Sequence, residues 1–200
     1  MKKRNNPSAG SKSQASAQYS ISRLPTYSIS RTVRTQIIPA VADQGYRYIF
    51  QPGTLPGWSE FSALYDQYRV KDLEITLIVP RAAAPTNTGN AFPILTYAPD
   101  WNDSTAPATQ DELLQYASSR TEVFSENRRM ITVRISPRPQ VTTAGGTNTV
   151  SGPDSLWCRT TDNDVWYGLK YWLAYFNTTT YNNTVVELFV KANMEFKVAR

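Results

Sequence analysis

The first 42 residues hold seven charged side chains, Lys2, Lys3, Arg4, Lys12, Arg23, Arg31 and Arg34, and every one is a cation. Residues 43–200 hold 14 basic and 16 acidic residues, so a segment of +7 precedes a body of −2, which together give the chain's +5. Cations gathered at one end of a near-neutral body suit the neutralisation of phosphates along a polyanion. Such contacts are blind to base sequence and weaken with salt. Tyr19 and Tyr27 lie among these cations and could stack bases with the same tolerance of sequence.

Other chemistry is sparse. The chain has no histidine, which removes the Ser-His and Cys-His dyads, the usual zinc sites and the commonest general base. Its single cysteine, Cys158, cannot form an internal disulfide. There is no phosphate-binding glycine loop and no nucleophile elbow. Asp162 and Asp164, with Asp154 nearby, could offer oxygens to calcium, but an Asp/Asn-rich loop is more often a solvated turn. The expectation is therefore a protein that is not an enzyme and needs no cofactor or metal. No stretch approaches the roughly 20 apolar residues of a membrane helix, and Met1 to Arg31 has no continuous apolar run, so no membrane partner is expected. The opening Lys2-Lys3-Arg4 is also compatible with a nuclear-import signal.

Residues 1–26, rich in Ser, Ala, Asn and Gln, are predicted to form a largely disordered basic arm, and residues 27–200 a single folded domain. Period-two alternation predicts eight strands, at 27–38, 45–51, 69–79, 91–97, 120–125, 129–136, 166–176 and 185–198. The pair 120–125 and 129–136 resembles a hairpin around Glu126-Asn127. Long turn-rich loops occupy 80–90, 99–119, 137–165 and 177–184. Two short helices are predicted. One spans Ser59 to Tyr68, with Phe61, Leu64, Tyr65 and Tyr68 on one face; the other opens at a Thr109–Glu112 capping box and runs through Tyr116. Many strands with long loops and no βαβ alternation make an all-β sandwich or barrel. The stretch 166–176 breaks the alternation by loading both faces with apolar residues. Trp166, Tyr171, Trp172 and Tyr175 are accordingly candidates for a subunit interface, the alternative being cover by the chain's own long loops.

The stretch from Leu55 to Pro80 resembles the capsid proteins of small eukaryotic viruses with circular single-stranded DNA, the circovirus-like group. Phe61, Leu64, Tyr65, Asp66, Tyr68 and Arg69 stand in the places of that group's helix-to-strand pattern. The resemblance implies a jelly roll, an eight-stranded antiparallel β-sandwich. It also implies homo-oligomeric self-assembly into an icosahedral, T=1 shell of about 60 copies, with the arm inside holding packaged single-stranded DNA. The location implied is the virion, with the host nucleus as the site of assembly. The arm is shorter and poorer in arginine than in circoviruses proper, which leaves open the capsid of a satellite-type RNA virus. A non-viral nucleic-acid- or carbohydrate-binding sandwich is the rival from another class. Nothing in the sequence points to a particular host receptor. Read physically, the motif is a structural corner: its aromatics pack a helix on a sheet, and Asp66 and Arg69, three apart, could pair.

Overall fold

Val186, Leu188, Val190, Ala192, Met194 and Phe196 are each at most 1% exposed, while Glu187, Phe189, Lys191 and Asn193 between them are only partly covered. This alternation builds the strand at the centre of the fold: one face lies in a dry core and the other meets water. The computed structural model describes residues 25–39, 42–80, 92–102, 104–142, 149–153, 156–162, 164–175 and 185–198. In chain order its strands are β1 (Thr26–Pro39), β2 (Gln44–Phe50), β3 (Gln67–Ile78), β4 (Ile94–Ala98), β5 (Arg120–Val123) and β6 (Met130–Ile135). They continue with β7 (Arg138–Thr142), β8 (Thr149–Ser151), β9 (Cys158–Arg159), β10 (Trp166–Ala174) and β11 (Val185–Lys197).

Two antiparallel sheets face each other. Sheet A runs β1-β11-β3-β6, with β9 beside the start of β3. Sheet B centres on β10, with β2 along one edge and β4 and β7 sharing the other; β5 lies outside β4, and β8 outside β7. Chain neighbours repeatedly change sheet: β1, β3, β6 and β11 belong to A, and β2, β4, β5 and β10 to B. This is the double Greek key of a jelly roll. Leu73, Ile75 and Leu77 of sheet A and Leu95, Leu169, Tyr171 and Leu173 of sheet B fill the space between, all at most 2% exposed.

All eight expected strands are present, with ends moved by a few residues. Three expectations are corrected. Strands β5 and β6 do not form a hairpin. Ser125 and Arg128 close a tight turn with reciprocal backbone hydrogen bonds of 3.0 and 3.1 Å, but β5 pairs with β4 and β6 with β3. The turn is a corner between sheets, pinned by Phe124, which is 1% exposed. Second, the segment 137–165 is not all loop, since it carries β7, β8 and β9. Third, the helix predicted from Ser59 to Tyr68 is shorter: α1 spans Trp58–Leu64. It starts after Gly57, whose φ of 78° lies in the left-handed region that glycine tolerates. It stops because the backbone turns extended at Tyr65 and β3 begins at Gln67, recruited by β11 and β9. Leu64 is consequently 67% exposed, and Tyr68 packs from a strand.

Helix α2 (Gln110–Leu114) is capped as expected. The Thr109 hydroxyl accepts from the Glu112 N–H at 3.3 Å, and the Glu112 carboxylate accepts from the Ala108 N–H at 2.8 Å. The helix ends at Leu114, short of Tyr116. No helix among the described residues is long and apolar enough to cross a membrane.

Candidate assembly and nucleic-acid interface

Lys2, Lys3, Arg4, Lys12 and Arg23 lie outside the described residues. Arg31 and Arg34 both stand on β1, three apart, and alternation turns them to opposite faces. The Arg31 guanidinium sits 5.2 Å from the centre of the Phe61 ring of α1. Arg34 lies 3.7 Å from Glu187 on β11, so its charge is already partly offset. β1 therefore presents no single row of free cations.

The motif residues gather on Phe196. The rings of Tyr65, Phe61, Trp58 and Tyr68 have centres 5.3, 5.4, 5.9 and 6.4 Å from it. Arg69 does not pair with Asp66. On a strand, residues three apart point to opposite faces, and Arg69 stands across from Glu195 in the β3–β11 register. Its Nη2 lies 2.6 Å from Glu195 Oε2, and Lys71 Nζ lies 3.1 Å from Oε1. Burial alone would raise the Glu195 pKa, but hydrogen bonds from Arg69 and Lys71 outweigh it and hold the carboxyl below the usual carboxylate range.

Of the interface candidates, Trp166 and Tyr171 are fully buried and Tyr175 is 5% exposed. The chain itself covers them, so they are corrected to core residues; Trp172 alone remains partly accessible. Trp166 Nε1 donates to the Tyr68 hydroxyl at 3.4 Å, which donates onward to Asp164 at 3.4 Å. Burial pushes the Tyr68, Tyr171 and Cys158 pKa values well up. Asp164 is thus engaged by Tyr68, and Asp162 accepts from the Thr161 hydroxyl at 3.2 Å. Among the described residues no group of three metal-ligating side chains converges.

The two outer faces differ. Across sheet A, Lys191 meets Glu74 at 3.2 Å, Arg134 meets Asp72 at 3.1 Å, and Asn193 donates to Asp72 at 2.6 Å. Across sheet B, residues 99–102 and 104–116 form a roof. Lys170 of β10 lies 2.8 Å from Asp100, and Tyr116 donates to the same carboxylate at 2.8 Å. The Asn102 N–H donates to its other oxygen at 2.9 Å. Burial opposes ionisation of Asp100, yet hydrogen bonds from Lys170, Asn102 and Tyr116 hold its pKa below the usual value. Beside this pair a recess of about 520 Å³ is lined by Thr105, Ala106, Glu112, Gln115, Tyr116 and Lys170.

One cluster escaped the sequence reading. Trp157 and Arg159 flank the inward-facing Cys158, and the β9–β3–β11 register brings Arg159, Gln67 and Lys197 into one row. Lys197 Nζ lies 4.2 Å and the Arg69 guanidinium 4.9 Å from the centre of the Trp157 ring. Its only sequence signal was the alternation Trp157-Cys158-Arg159 inside a stretch taken for loop.

The jelly-roll topology agrees with what known proteins show. The BFDV capsid protein in its 60-mer form is 10% identical, with 88% of this chain and 97% of that one covered and a TM-score of 0.56. The decameric form of the same protein gives 10% identity, 86% and 100% coverage and 0.56. The nodavirus of the giant freshwater prawn Macrobrachium rosenbergii, as a semi-empty virus-like particle, gives 10% identity, 100% and 95% coverage and 0.55. At these identities the likeness is one of fold. No curated protein matches the chain. The family model described as circovirus capsid protein matches residues 15–200. This chain, a structural protein and not an enzyme, belongs to the circovirus capsid protein family.

Proposed function

We propose that this protein is the shell-forming subunit of a small virion, about 60 copies closing into a T=1 particle, and that residues 1–26 form an arm holding the packaged single-stranded DNA. The observation that carries this reading is the likeness of fold across almost the whole length of a capsid protein described as a 60-mer. The charge distribution supports the second half: the cations Lys2, Lys3, Arg4, Lys12 and Arg23 precede Thr26, where the first strand begins. Phosphate neutralisation by such an arm is independent of base sequence. Lys2-Lys3-Arg4 would also serve to bring the subunit to a host nucleus for assembly.

Electron microscopy of the recombinant protein, with absorbance at 260 and 280 nm on the same fraction, tests both halves. Uniform closed particles roughly 20 nm across with a high 260/280 ratio are expected. Deleting residues 2–12 should leave particles intact and emptier. A monomer or dimer at every salt and pH would overturn the shell, and unchanged nucleic-acid content after the deletion would overturn the arm's role.

A further inference from the structure

The outer face of sheet A changes character along its strands. In the middle, each carboxylate meets a cation or amide: Glu74 with Lys191, and Asp72 with Arg134 and Asn193. At the end where β1 begins, the balance is lost. Thr26 pairs with Lys197, Lys197 with Gln67 and Gln67 with Arg159, so four strands place these residues in one row. In the neighbouring row Glu195 offsets one charge of the two on Arg69 and Lys71. Among the described residues neither Lys197 nor Arg159 has a carboxylate partner within ion-pair distance. Trp157 stands partly exposed among them, with Lys197 and Arg69 over its ring. From Gln67 and Arg159 an open groove of about 420 Å³ continues past Thr160 and Thr161, with Asp66 on its wall.

We infer that Trp157, Lys197, Arg159 and Arg69 form a binding patch for single-stranded nucleic acid on the folded body, beside the point where the arm joins it. Lys197 and Arg159 bind phosphates, and a base stacks on Trp157 once Lys197 turns from the ring to the backbone of the strand. Stacking on an aromatic platform flanked by cations is how single strands are held without sequence preference. A single strand neutralised by the arm reaches Lys197 first, because Thr26 and Lys197 are directly opposite in the ladder. This inference rests on the reading of residues 1–26 as a nucleic-acid arm and extends it onto the shell domain.

The test is a salt series of binding measurements between the full-length chain and a thymidine homo-oligonucleotide, with wild type, Lys197→Gln/Arg159→Gln, Trp157→Leu and the 2–12 deletion compared. The double charge variant alters two surface positions, and its melting curve should match wild type. It should bind about tenfold more weakly, with a salt slope shallower by about 1.4, as loss of two phosphate contacts to a single strand requires. Trp157→Leu should weaken binding about tenfold with no change of slope, as loss of a stacked base does. Ultraviolet cross-linking should place an adduct on the peptide containing Trp157 in wild type. Body variants that bind like wild type, beside a deletion that does not, would overturn the patch and leave the arm. The reverse would support the patch and overturn the arm. Body variants that keep oligonucleotide binding but no longer form particles would overturn the inference in favour of a subunit contact.

Discussion

Sheet A and sheet B pack against the same core, yet their outer faces have opposite fates. Among the described residues no loop roofs the outer face of sheet A, which is tiled with cross-strand pairs such as Lys191–Glu74 and Arg134–Asp72, whose basic partners are 43% and 65% exposed. Sheet B covers the middle of its outer face, around Lys170 and Thr96, with residues 99–102 and 104–116. That enclosure turns a lysine–aspartate contact into a buried pair, with side chains 9% and 2% exposed at Lys170 and Asp100. The same chemical contact thus does different things. On the bare face it is exposed to screening and contributes little. Under the roof it ties a long loop to the central strand, with both charges largely out of water.

The comparison can be broken most severely at Asp100. Asp100→Ala deletes the buried carboxylate that Lys170, Tyr116 and the Asn102 N–H all reach and is expected to cost about 1.5–3 kcal/mol in urea unfolding. Because the folded-state pKa of Asp100 is depressed, its contribution is present above the ordinary carboxylate pKa and is lost as pH falls through the folded value. Wild type should therefore lose stability below roughly pH 4, and Asp100→Asn should flatten that acid limb; an unchanged limb would remove Asp100 from the account. Next in size is the contact between roof and sheet. A Cβ at Gly45 of β2 would run into the Pro107 carbonyl oxygen. Gly45→Ala should cost about 1–3 kcal/mol, as overpacking does, and should speed proteolysis within residues 99–119. The smallest effect belongs to the bare face: Lys191→Ala should cost about 0.2–1 kcal/mol, less at high salt. A loss at Lys191 as large as that at Asp100 would erase the distinction between the two faces.

The difference also explains what could be read from the sequence. Strand β11 was legible because only one of its faces is dry, so Val186 to Phe196 alternate with Glu187 to Glu195. β10 broke the alternation because it is covered twice: Tyr171 and Leu173 face the core while Lys170 faces the roof. Own-chain cover was one of the two readings of that pattern, and it holds for Trp166, Tyr171 and Tyr175. The Thr109 cap was legible because capping is local. What stayed hidden is non-local. Nothing in residues 120–135 says that a tight turn at Ser125–Arg128 sends its strands to different sheets. Likewise, nothing near Asp66 says that Arg69 will find Glu195, which is 126 residues away. Trp157, Arg159 and Lys197 come from two distant stretches that only the β9–β3–β11 register unites.

The position of β11 has a consequence for how the molecule comes into being. It is the last of the described strands in the chain and lies inside sheet A, hydrogen-bonded to β1 on one side and β3 on the other. While the chain is being synthesised, β1 and β3 wait with open edges, and Phe196 is missing from the middle of the aromatic cluster. Folding therefore cannot finish before translation has passed Lys197, and closure depends on the longest-range pairings in the molecule, which makes it slow. A chain cut short before β11 lacks the central strand of one sheet and offers two unpaired edges that invite aggregation. Both the closed sheet and the complete aromatic cluster thus arrive together, with β11.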